Sequence, residues 1–349
     1  MSGTARIAIR GANWLGDSVI SIPAVRAIRA LFPGSAITML APAELVELWE
    51  QEGSADRVLT VPRPARLPGA LRLVGALRRD KYDLGILFTN SFSSALFFFM
   101  GGVRRRVGYA TDGRSILLTS RVPPPPPGLH QAHRYLRVAH AMGPVEYDAR
   151  PSLRVPEPLL AWADAILRGA GFAPGRPVVG INAGSAYGEA KCWPVERFAA
   201  LARMVRDRLG AAVVAVGGAR ERGRAEAICS PLGPDALNAA GETTVMQCAA
   251  LAGRCGVFVS NDTGPMHLAA AVGTPVVAIF GPTDPGATAP LGERMIVRRG
   301  AACAPCTARR CPADHRCMTA VTAEDVFAAV KGLHSRSRAP DAASRDRGG

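Results

Sequence analysis

The segment from residue 257 to residue 283 constrains the fold of this chain more than any other. An apolar run at 257–260 is followed by the polar turn Asn261-Asp262-Thr263-Gly264, an Ala-rich stretch and a second apolar run at 275–280. Apolar runs of this length predict buried strands, and the stretch at 265–272 predicts a short helix between them. Ligands bind outside the carboxyl ends of such parallel strands. We therefore predict a ligand site formed by Asp262, Thr263, Gly264 and His267.

Strand and helix patterns alternate along both halves of the chain, which predicts an α/β fold. In the first half we predict strands at 6–10, 36–40, 57–61, 84–88 and 106–109, with helices at 18–32, 43–50, 68–79, 94–100 and 134–142. In the second half we predict strands at 177–182, 211–216, 256–260 and 275–280, with helices at 195–209, 221–230, 245–254 and 322–333.

The length of 349 residues is too great for one ordinary core and indicates two domains. A Pro-rich stretch at 151–158 marks the predicted crossing between them. We place the first domain at residues 1–155 and the second at 156–334. The remainder, 335–349, is polar and Arg-rich, so we expect it to be disordered.

The chain is strongly basic, with 42 Lys and Arg residues against 28 Asp and Glu residues and a formal charge of +14. This charge favours anionic partners such as phosphorylated glycolipids, membrane surfaces or nucleic acid. A generic basic surface, produced by a GC-rich genome that favours arginine, is an equal alternative. The sequence has neither an 18-residue apolar window nor an apolar signal region after Met1, so we expect a cytoplasmic protein.

The eight cysteines form two groups. Four are scattered through α/β-type sequence, where a small buried thiol is the ordinary explanation: Cys192, Cys229, Cys248 and Cys255. The other four lie within residues 303–317 together with His315: Cys303, Cys306, Cys311 and Cys317. Thiolates and an imidazole at this density can hold a structural zinc ion or an iron–sulfur cluster. The spacing matches neither a zinc ribbon nor a ferredoxin, and free or disulfide-forming thiols are the alternative.

Two further turns carry candidate site residues. The turn at 11–18 follows the first strand, but it lacks the G-x-G-x-x-G spacing of dinucleotide-binding proteins. Its Asp17 is either a functional carboxylate or a charge that stabilises a helix N-terminus. The turn at 182–194 is rich in Gly and contains Ser185 and Lys191, a pattern suited to wrapping an anion. A compact ammonium suits a phosphate oxygen, although Lys191 could also be an ordinary surface lysine.

Taken in order, these motifs resemble a known family. The motifs are Asn13-Trp14-Leu15-Gly16-Asp17 with Ser21-Ile22-Pro23-Ala24, Lys191-x-Trp193-Pro194, Asn261-Asp262-Thr263-Gly264-x-x-His267, and Gly281-Pro282-Thr283. Together they resemble the ADP-heptose:lipopolysaccharide heptosyltransferases of glycosyltransferase family 9. The similarity spans residues 5 to 333. The first motif and the Cys-x-x-Cys segment resemble the heptosyltransferase II branch most.

The resemblance implies a GT-B fold, in which two Rossmann-like domains face each other across a cleft. The first domain would hold the acceptor and the second the nucleotide sugar. Asp17 would be the general base. Ser185, Lys191, Thr263 and Gly264 would bind the donor phosphates, while Asp262 would bind a sugar hydroxyl.

Other roles remain open in the donor domain. His267 would contact phosphate or orient Asp262, and a histidine satisfied within the core is the alternative. The nucleoside would lie near Gly218, Glu221, Thr243 and Thr244. Either threonine could instead be a helix N-cap.

The function implied by the resemblance is an inverting transfer of L-glycero-D-manno-heptose from ADP-heptose to the heptose of the lipopolysaccharide inner core. We expect the protein at the inner face of the cytoplasmic membrane. The chain has no Asp-x-Asp metal motif, so no cofactor is expected to be required. The alternatives are a glycosyltransferase with another nucleotide-sugar donor, or a non-catalytic basic module that binds glycolipid or nucleic acid. An RNA-binding aromatic motif is lacking, so we expect no nucleic-acid partner.

Overall fold

The chain divides into two compact units, Met1–Arg154 and Val155–Gly349, in the computed structural model. The structure describes residues 5–61 and 67–337. Within those two ranges, no helix combines the length and the apolar character needed to cross a bilayer.

The first unit is built on a six-stranded parallel sheet with the strand order β3-β2-β1-β4-β5-β6. Its strands are β1 (Arg6–Arg10), β2 (Ala36–Pro42), β3 (Arg57–Val61), β4 (Leu84–Leu87), β5 (Arg105–Tyr109) and β6 (Ser120–Val122). Its helices are α1 (Leu15–Leu31), α2 (Val46–Glu52), α3 (Leu67–Asp80), α4 (Phe92–Met100) and α5 (Gln131–His140).

The second unit repeats this topology, with the strand order β12-β11-β10-β7-β8-β9. Its strands are β7 (Val178–Asn182), β8 (Ala212–Ala215), β9 (Ala236–Asn238), β10 (Val257–Asn261), β11 (Val276–Phe280) and β12 (Arg294–Arg298). Its helices are α6 (Glu157–Gly169), α7 (Val195–Leu209), α8 (Arg222–Cys229), α9 (Val245–Gly253), α10 (Gly264–Ala271), α11 (Pro285–Thr288), α12 (Arg316–Thr319) and α13 (Ala323–Ser337).

Both sheets have the strand order of a Rossmann fold, so the α/β prediction with two Rossmann-like halves is confirmed. In each sheet the chain order reverses between two adjacent strands. In the first unit these are β1 and β4, which pair with Arg10 opposite Leu87. In the second they are β7 and β10, which pair with Asn182 opposite Ser260. Ligands bind in the crevice at this switch point.

Several sequence-based predictions need correction. Helix α1 begins at Leu15 rather than at residue 18, so Asp17 lies in its first turn. The helix predicted at 43–50 is a 3₁₀ turn, Ala43–Leu45, followed by α2. No helix was predicted in the Pro-rich crossing at 151–158, but α6 begins within it. Pro158 lies in the first turn of that helix, where proline is tolerated.

Three short strands, β6, β9 and β12, were also not predicted. Helix α13 continues to Ser337, three residues into the tail that was predicted to be disordered. The rest of that tail, 338–349, lies outside the described residues.

Candidate active site

A polar pocket of about 240 Å³ opens at the switch point of the first unit. It lies where the turn after β1 and the turn after β4 meet. Asp17 reaches it from the first turn of α1, and α5 closes one side. The lining residues are Ala12, Asn13, Trp14, Asp17, Phe88, Thr89, Asn90, Ser91, Gln131 and Tyr135.

Tyr135 on α5 holds the carboxylate of Asp17. Its hydroxyl donates to Oδ1 of Asp17 over 3.2 Å. The phenol ring is buried and packs against Phe88, with 5.1 Å between the ring centroids. Burial, followed by the negative charge of Asp17, raises the pKa of Tyr135 well above its usual value. The hydroxyl therefore keeps its proton and remains a donor to the carboxylate at neutral pH.

Two buried arginines brace the backbone around this pocket. Arg10 ends β1, and its guanidinium donates to the carbonyl of Gly11 and to Oδ1 of Asn13, both over 2.5 Å. Arg114 is fully buried and donates to the carbonyls of Tyr109 and Thr89. Burial lowers the pKa of Arg114 to about 10, so the guanidinium stays charged at neutral pH.

The switch point of the second unit carries an ion pair. Nζ of Lys191 lies 2.6 Å from Oδ2 of Asp262, and both side chains are largely buried. The hydroxyl of Thr283 donates to the same oxygen over 2.6 Å. The Lys191 ammonium also lies 5.1 Å from the centre of the Tyr187 ring. An ammonium has three protons, so pairing with Asp262 leaves Lys191 able to donate to a ligand anion.

Asn261 fixes the loop that carries Lys191. Its side chain accepts from the backbone N–H of Trp193 over 3.0 Å and donates to the carbonyl of Gly184 over 3.1 Å. The indole of Trp193 is buried and donates to the carbonyl of Val321. Asn261 and Trp193 of the sequence motifs thus act by joining this loop to β10 and to the core.

Four more predicted residues lie at this edge of the sheet. Thr263 precedes α10 and Gly264 begins it, so the backbone amides at this point belong to a helix N-terminus. His267 lies on the same helix and is buried. The Oγ atom of Ser185 is buried, and none of the described residues gives it a hydrogen-bond partner. The structure therefore brings Ser185, Lys191, Asp262 and the start of α10 to one sheet edge.

The residues predicted to bind the nucleoside lie on two neighbouring turns. The backbone N–H of Gly241 donates to the carbonyl of Gly217 over 2.9 Å and joins the turns. The Glu221 carboxylate accepts from the backbone N–H of Gly218 over 2.8 Å. A Cβ atom on Gly184 would lie only 1.6 Å from Oε1 of Glu221, which explains the glycine there. Glu221 thus also lies against the Ser185 loop.

The two threonines have different surroundings. The Thr244 hydroxyl accepts from the backbone N–H of Gln247, and Gln247 Oε1 accepts from the N–H of Thr244. This reciprocal capping box makes Thr244 the N-cap of α9. Thr243 is half-buried beside it.

The Cys-rich segment packs against the Lys191 loop. The carbonyl of Arg309 accepts from the N–H of Ala190 over 3.0 Å, and the Tyr187 hydroxyl donates to the carbonyl of Thr307 over 2.6 Å. The ring of His315 lies 2.8 Å from the carbonyl of Ala190. The segment therefore supports the backbone that presents Lys191.

All eight cysteines are free. Burial raises the pKa of Cys317, and the charges of Cys303, Cys311 and Cys306 raise it further. Across 5–61 and 67–337, however, no three His, Cys, Asp or Glu side chains form a group that could hold a metal ion.

Several residues at the two sites were not predicted from the sequence, among them Tyr135, Arg114 and Thr283. Thr283 stood within a quoted motif, and its position after β11 was the signal that could have found it. Tyr135 and Arg114 come from segments distant from Asp17 in sequence. Only the packing of α5 against α1 and the burial of Arg114 reveal them.

Comparison with known proteins identifies the family. The sequence pattern of glycosyltransferase family 9 (heptosyltransferase) matches residues 70–316. Lipopolysaccharide heptosyltransferase 2 of Escherichia coli strain K12 is 31% identical over 310 residues, which cover 84% of this chain and 88% of that protein. Lipooligosaccharide heptosyltransferase 2 of Haemophilus ducreyi is also 31% identical, over 313 residues, with the same coverage of both chains.

The fold agrees with this assignment. The solved structure of E. coli ADP-heptose lps heptosyltransferase II superimposes with a TM-score of 0.82 at 26% identity, covering 96% of this chain and all of that one. The two Rossmann-like units are those of the GT-B fold. The chain belongs to glycosyltransferase family 9, the heptosyltransferases, and is a glycosyltransferase.

Proposed function

We propose that this enzyme transfers L-glycero-D-manno-heptose from ADP-heptose to a heptose of the lipopolysaccharide inner core, with inversion at the anomeric carbon. The observation that carries the proposal is the Asp17 carboxylate in a polar pocket, held by the Tyr135 hydroxyl. Family membership and the names of the heptosyltransferase 2 relatives support the sugar and the acceptor.

In the proposed reaction Asp17 is the general base. An acceptor hydroxyl attacks the anomeric carbon of the donor, and Asp17 takes its proton. The new C–O bond forms as the bond between the anomeric carbon and the phosphate oxygen breaks. Tyr135 keeps Asp17 oriented during this step, and the pocket residues Asn13, Asn90 and Gln131 offer amide groups to acceptor hydroxyls.

The leaving ADP carries away the bonding electrons as negative charge. Lys191 and the amides at the start of α10 are the groups in the second unit that can stabilise that charge. The Ser185 hydroxyl can donate a hydrogen bond to a phosphate oxygen, since this buried hydroxyl lacks a protein partner among the described residues. Asp262 would bind a hydroxyl of the heptose through Oδ1 while Oδ2 holds Lys191 and Thr283.

His267 and the nucleoside turns complete the proposed donor site. His267 would contact phosphate or orient Asp262 from its place on α10. Adenosine would lie on the turns that contain Gly218 and Thr243, which the Gly241–Gly217 hydrogen bond holds together. Glu221 and Thr244 would shape this surface through their backbone contacts, because each is engaged in a helical cap.

We further propose a cytoplasmic location, at the inner face of the membrane, because ADP-heptose and the lipid-linked acceptor would meet there. The excess of 42 basic over 28 acidic residues suits an acceptor that bears phosphates and carboxylates. Raising the salt concentration should therefore weaken acceptor binding.

A structural zinc ion or iron–sulfur cluster at Cys303, Cys306, Cys311 and Cys317 remains a prediction about the segment that supports Lys191. The described side chains there do not form a ligand set. No step of the transfer is assigned to a metal there. Metal analysis of protein purified without oxygen tests the idea, and substoichiometric zinc and iron would contradict it.

The proposed function is tested by an assay with ADP-heptose and lipopolysaccharide truncated at its first heptose. We expect transfer from ADP-heptose, and loss of transfer with retained ADP binding in Asp17→Ala. UDP-sugars and GDP-sugars are the comparison donors. Transfer only from one of these would contradict the ADP-heptose assignment, and full activity of Asp17→Ala would contradict the assigned base.

A further inference from the structure

One side of α4 carries an apolar stripe in which Phe92, Phe99 and Met100 are exposed, while Leu96 is half-buried against the core. Phe92, Leu96, Phe99 and Met100 recur at intervals of four, seven and eight residues, so they lie on the same side of the helix. Phe92 is 42% exposed, Phe99 52% and Met100 39%. Ile116, in a 3₁₀ turn that packs against α4, is 78% exposed. We refer to these five residues as the α4 patch.

Arginines border the α4 patch on several sides. Nε of Arg78 donates to the carbonyl of Met100 over 2.8 Å. The guanidinium of Arg106 lies over the Phe99 ring, 5.3 Å from its centre. Nε of Arg121 donates to the carbonyl of Ser115, next to Ile116, over 3.1 Å. Residues 91–121 contain five arginines and a single acidic residue, Asp112.

This combination matches the requirements of an anionic lipid surface. Aromatic and aliphatic side chains enter the boundary between headgroups and acyl chains, while arginines keep their charge among the phosphates. The charged side chains that border the patch are mainly cationic, which complements phosphatidylglycerol better than a typical protein surface of mixed charge. Scattered exposed apolar residues are common on protein surfaces, but an apolar stripe along a helix with a cationic border is typical of a binding surface.

The position of α4 supplies the second argument. The helix begins at Phe92, directly after Asn90 and Ser91, which line the Asp17 pocket. Nine helical residues span about 13 Å, so the whole stripe lies close to the pocket. A surface that binds the bilayer here would bring the acceptor pocket to the lipid that carries the acceptor.

We propose that the α4 patch docks the protein on anionic phospholipid bilayers. This inference rests on the proposed function for its purpose, because a lipid-linked acceptor is what makes docking useful. The binding itself is independent of catalysis and can be measured without either substrate.

Binding is measured by sedimentation with vesicles of phosphatidylethanolamine and phosphatidylglycerol, and with vesicles of phosphatidylcholine alone. We expect the parent protein to bind the anionic vesicles preferentially and to be released by high salt. The double variant Phe99→Ser/Ile116→Ser should lower the ratio of bound to unbound protein at least about tenfold. Arg78→Gln/Arg121→Gln should reduce the preference for anionic vesicles.

Matched controls come from the second unit. Ile166 is 37% exposed on α6, and Arg203 is exposed on α7. Ile166→Ser and Arg203→Gln should bind vesicles as the parent does. The single variant Ile116→Ser removes the most exposed side chain of the α4 patch. If this variant loses vesicle binding while its melting temperature stays unchanged, the loss does not reflect unfolding.

Activity gives an independent readout. Phe99→Ser/Ile116→Ser should raise KM for an acylated acceptor presented in vesicles and leave kcat/KM unchanged for a deacylated, soluble acceptor. Vesicle binding by this variant equal to that of the parent overturns the proposal. The proposal is also overturned if the parent protein is a dimer and the variant is a monomer, since the patch would then be a protein interface. Absence of any transfer from ADP-heptose would overturn the proposed function, and the vesicle measurements would still decide docking.

Discussion

The two units share a strand order but carry opposite chemistry at the same topological position. At the first switch point a carboxylate, Asp17, accepts a hydrogen bond from a neutral phenol. At the second an ammonium, Lys191, is held by a buried carboxylate beside the start of α10. The parallel sheet determines where a ligand can bind. The side chains then determine which charge a ligand meets there, a carboxylate in the first unit and an ammonium in the second.

The supports beneath the two sites also differ. In the first unit, the guanidinium groups of Arg10 and Arg114 bind the carbonyls of Gly11 and Thr89 in the turns around the pocket. In the second, the carboxamides of Asn182 and Asn261 join the loops to one another. A guanidinium has five donors and can hold several carbonyls, whereas a carboxamide can accept as well as donate. Each type of support suits the backbone groups that its loops present.

The comparison predicts that variants of the first site affect the chemical step and leave ADP binding intact. Asp17→Asn keeps the shape of the side chain but removes the proton acceptor. We expect kcat to fall roughly 10²- to 10⁴-fold, the usual contribution of a general base. Asp148→Asn, on an exposed segment of the same unit, is the control. An ADP dissociation constant that changed as strongly as kcat would show that the two sites are not separate in function.

The guanidinium support makes a second prediction. Arg114→Met leaves the carbonyls of Tyr109 and Thr89 without their buried donor, and we expect a loss of about 2–4 kcal/mol in the free energy of unfolding. Arg105→Met, at an exposed position of β5, should change stability little. Chemical denaturation measures both. Equal stability of the two variants would mean that the buried guanidinium is not the main support of the pocket.

The second site should show the reverse kinetic pattern. Lys191→Met removes the ammonium and leaves the buried Asp262 with Thr283 as its remaining described hydrogen-bond donor. We expect the dissociation constant of ADP to rise about 10- to 100-fold, the value of one or two charge-assisted hydrogen bonds. The exposed Lys331→Met is the matched control, and calorimetry gives the constants. Parent-like ADP affinity in Lys191→Met would remove Lys191 from the donor site.

Much of this arrangement could be predicted from the sequence, because the signals were local. The apolar runs of β10 and β11, with polar residues directly after them, are enough to indicate a sheet edge. Asp17 and Lys191 could be predicted as candidates because each follows a strand in a Gly-rich turn. Short edge strands such as β9, with three partly buried residues, carry too little periodicity to be recognised.

What the sequence could not provide was contact between distant segments. Lys191 and Asp262 are 71 positions apart, and Tyr135 is 118 positions from Asp17. Their pairing depends on how α5 packs against α1 and on how β7 lies beside β10. From the motifs, Lys191 and Asp262 were predicted to bind phosphate and sugar, and these roles stay predictions. The structure adds that the two side chains form an ion pair, so a change in either should alter the other.

The smallest expected effect tests the hydrogen bond that distinguishes the first site from the second. Tyr135→Phe keeps the ring against Phe88 and removes the donor to Oδ1 of Asp17. Without that donor the carboxylate is easier to protonate, so the acid limb of the pH–rate profile should move to higher pH. We expect kcat at neutral pH to fall only a few-fold, with KM for the donor unchanged.

Tyr147→Phe, at an exposed position, is the control for Tyr135→Phe. In the Asp17→Asn background, Tyr135→Phe should have no further effect on the rate, because the group it orients no longer accepts a proton. If Tyr135 served only to pack α5 against α1, its loss would lower kcat by the same factor at every pH and the acid limb would stay in place. The shift of that limb is therefore the measurement that separates orientation of the base from support of the fold.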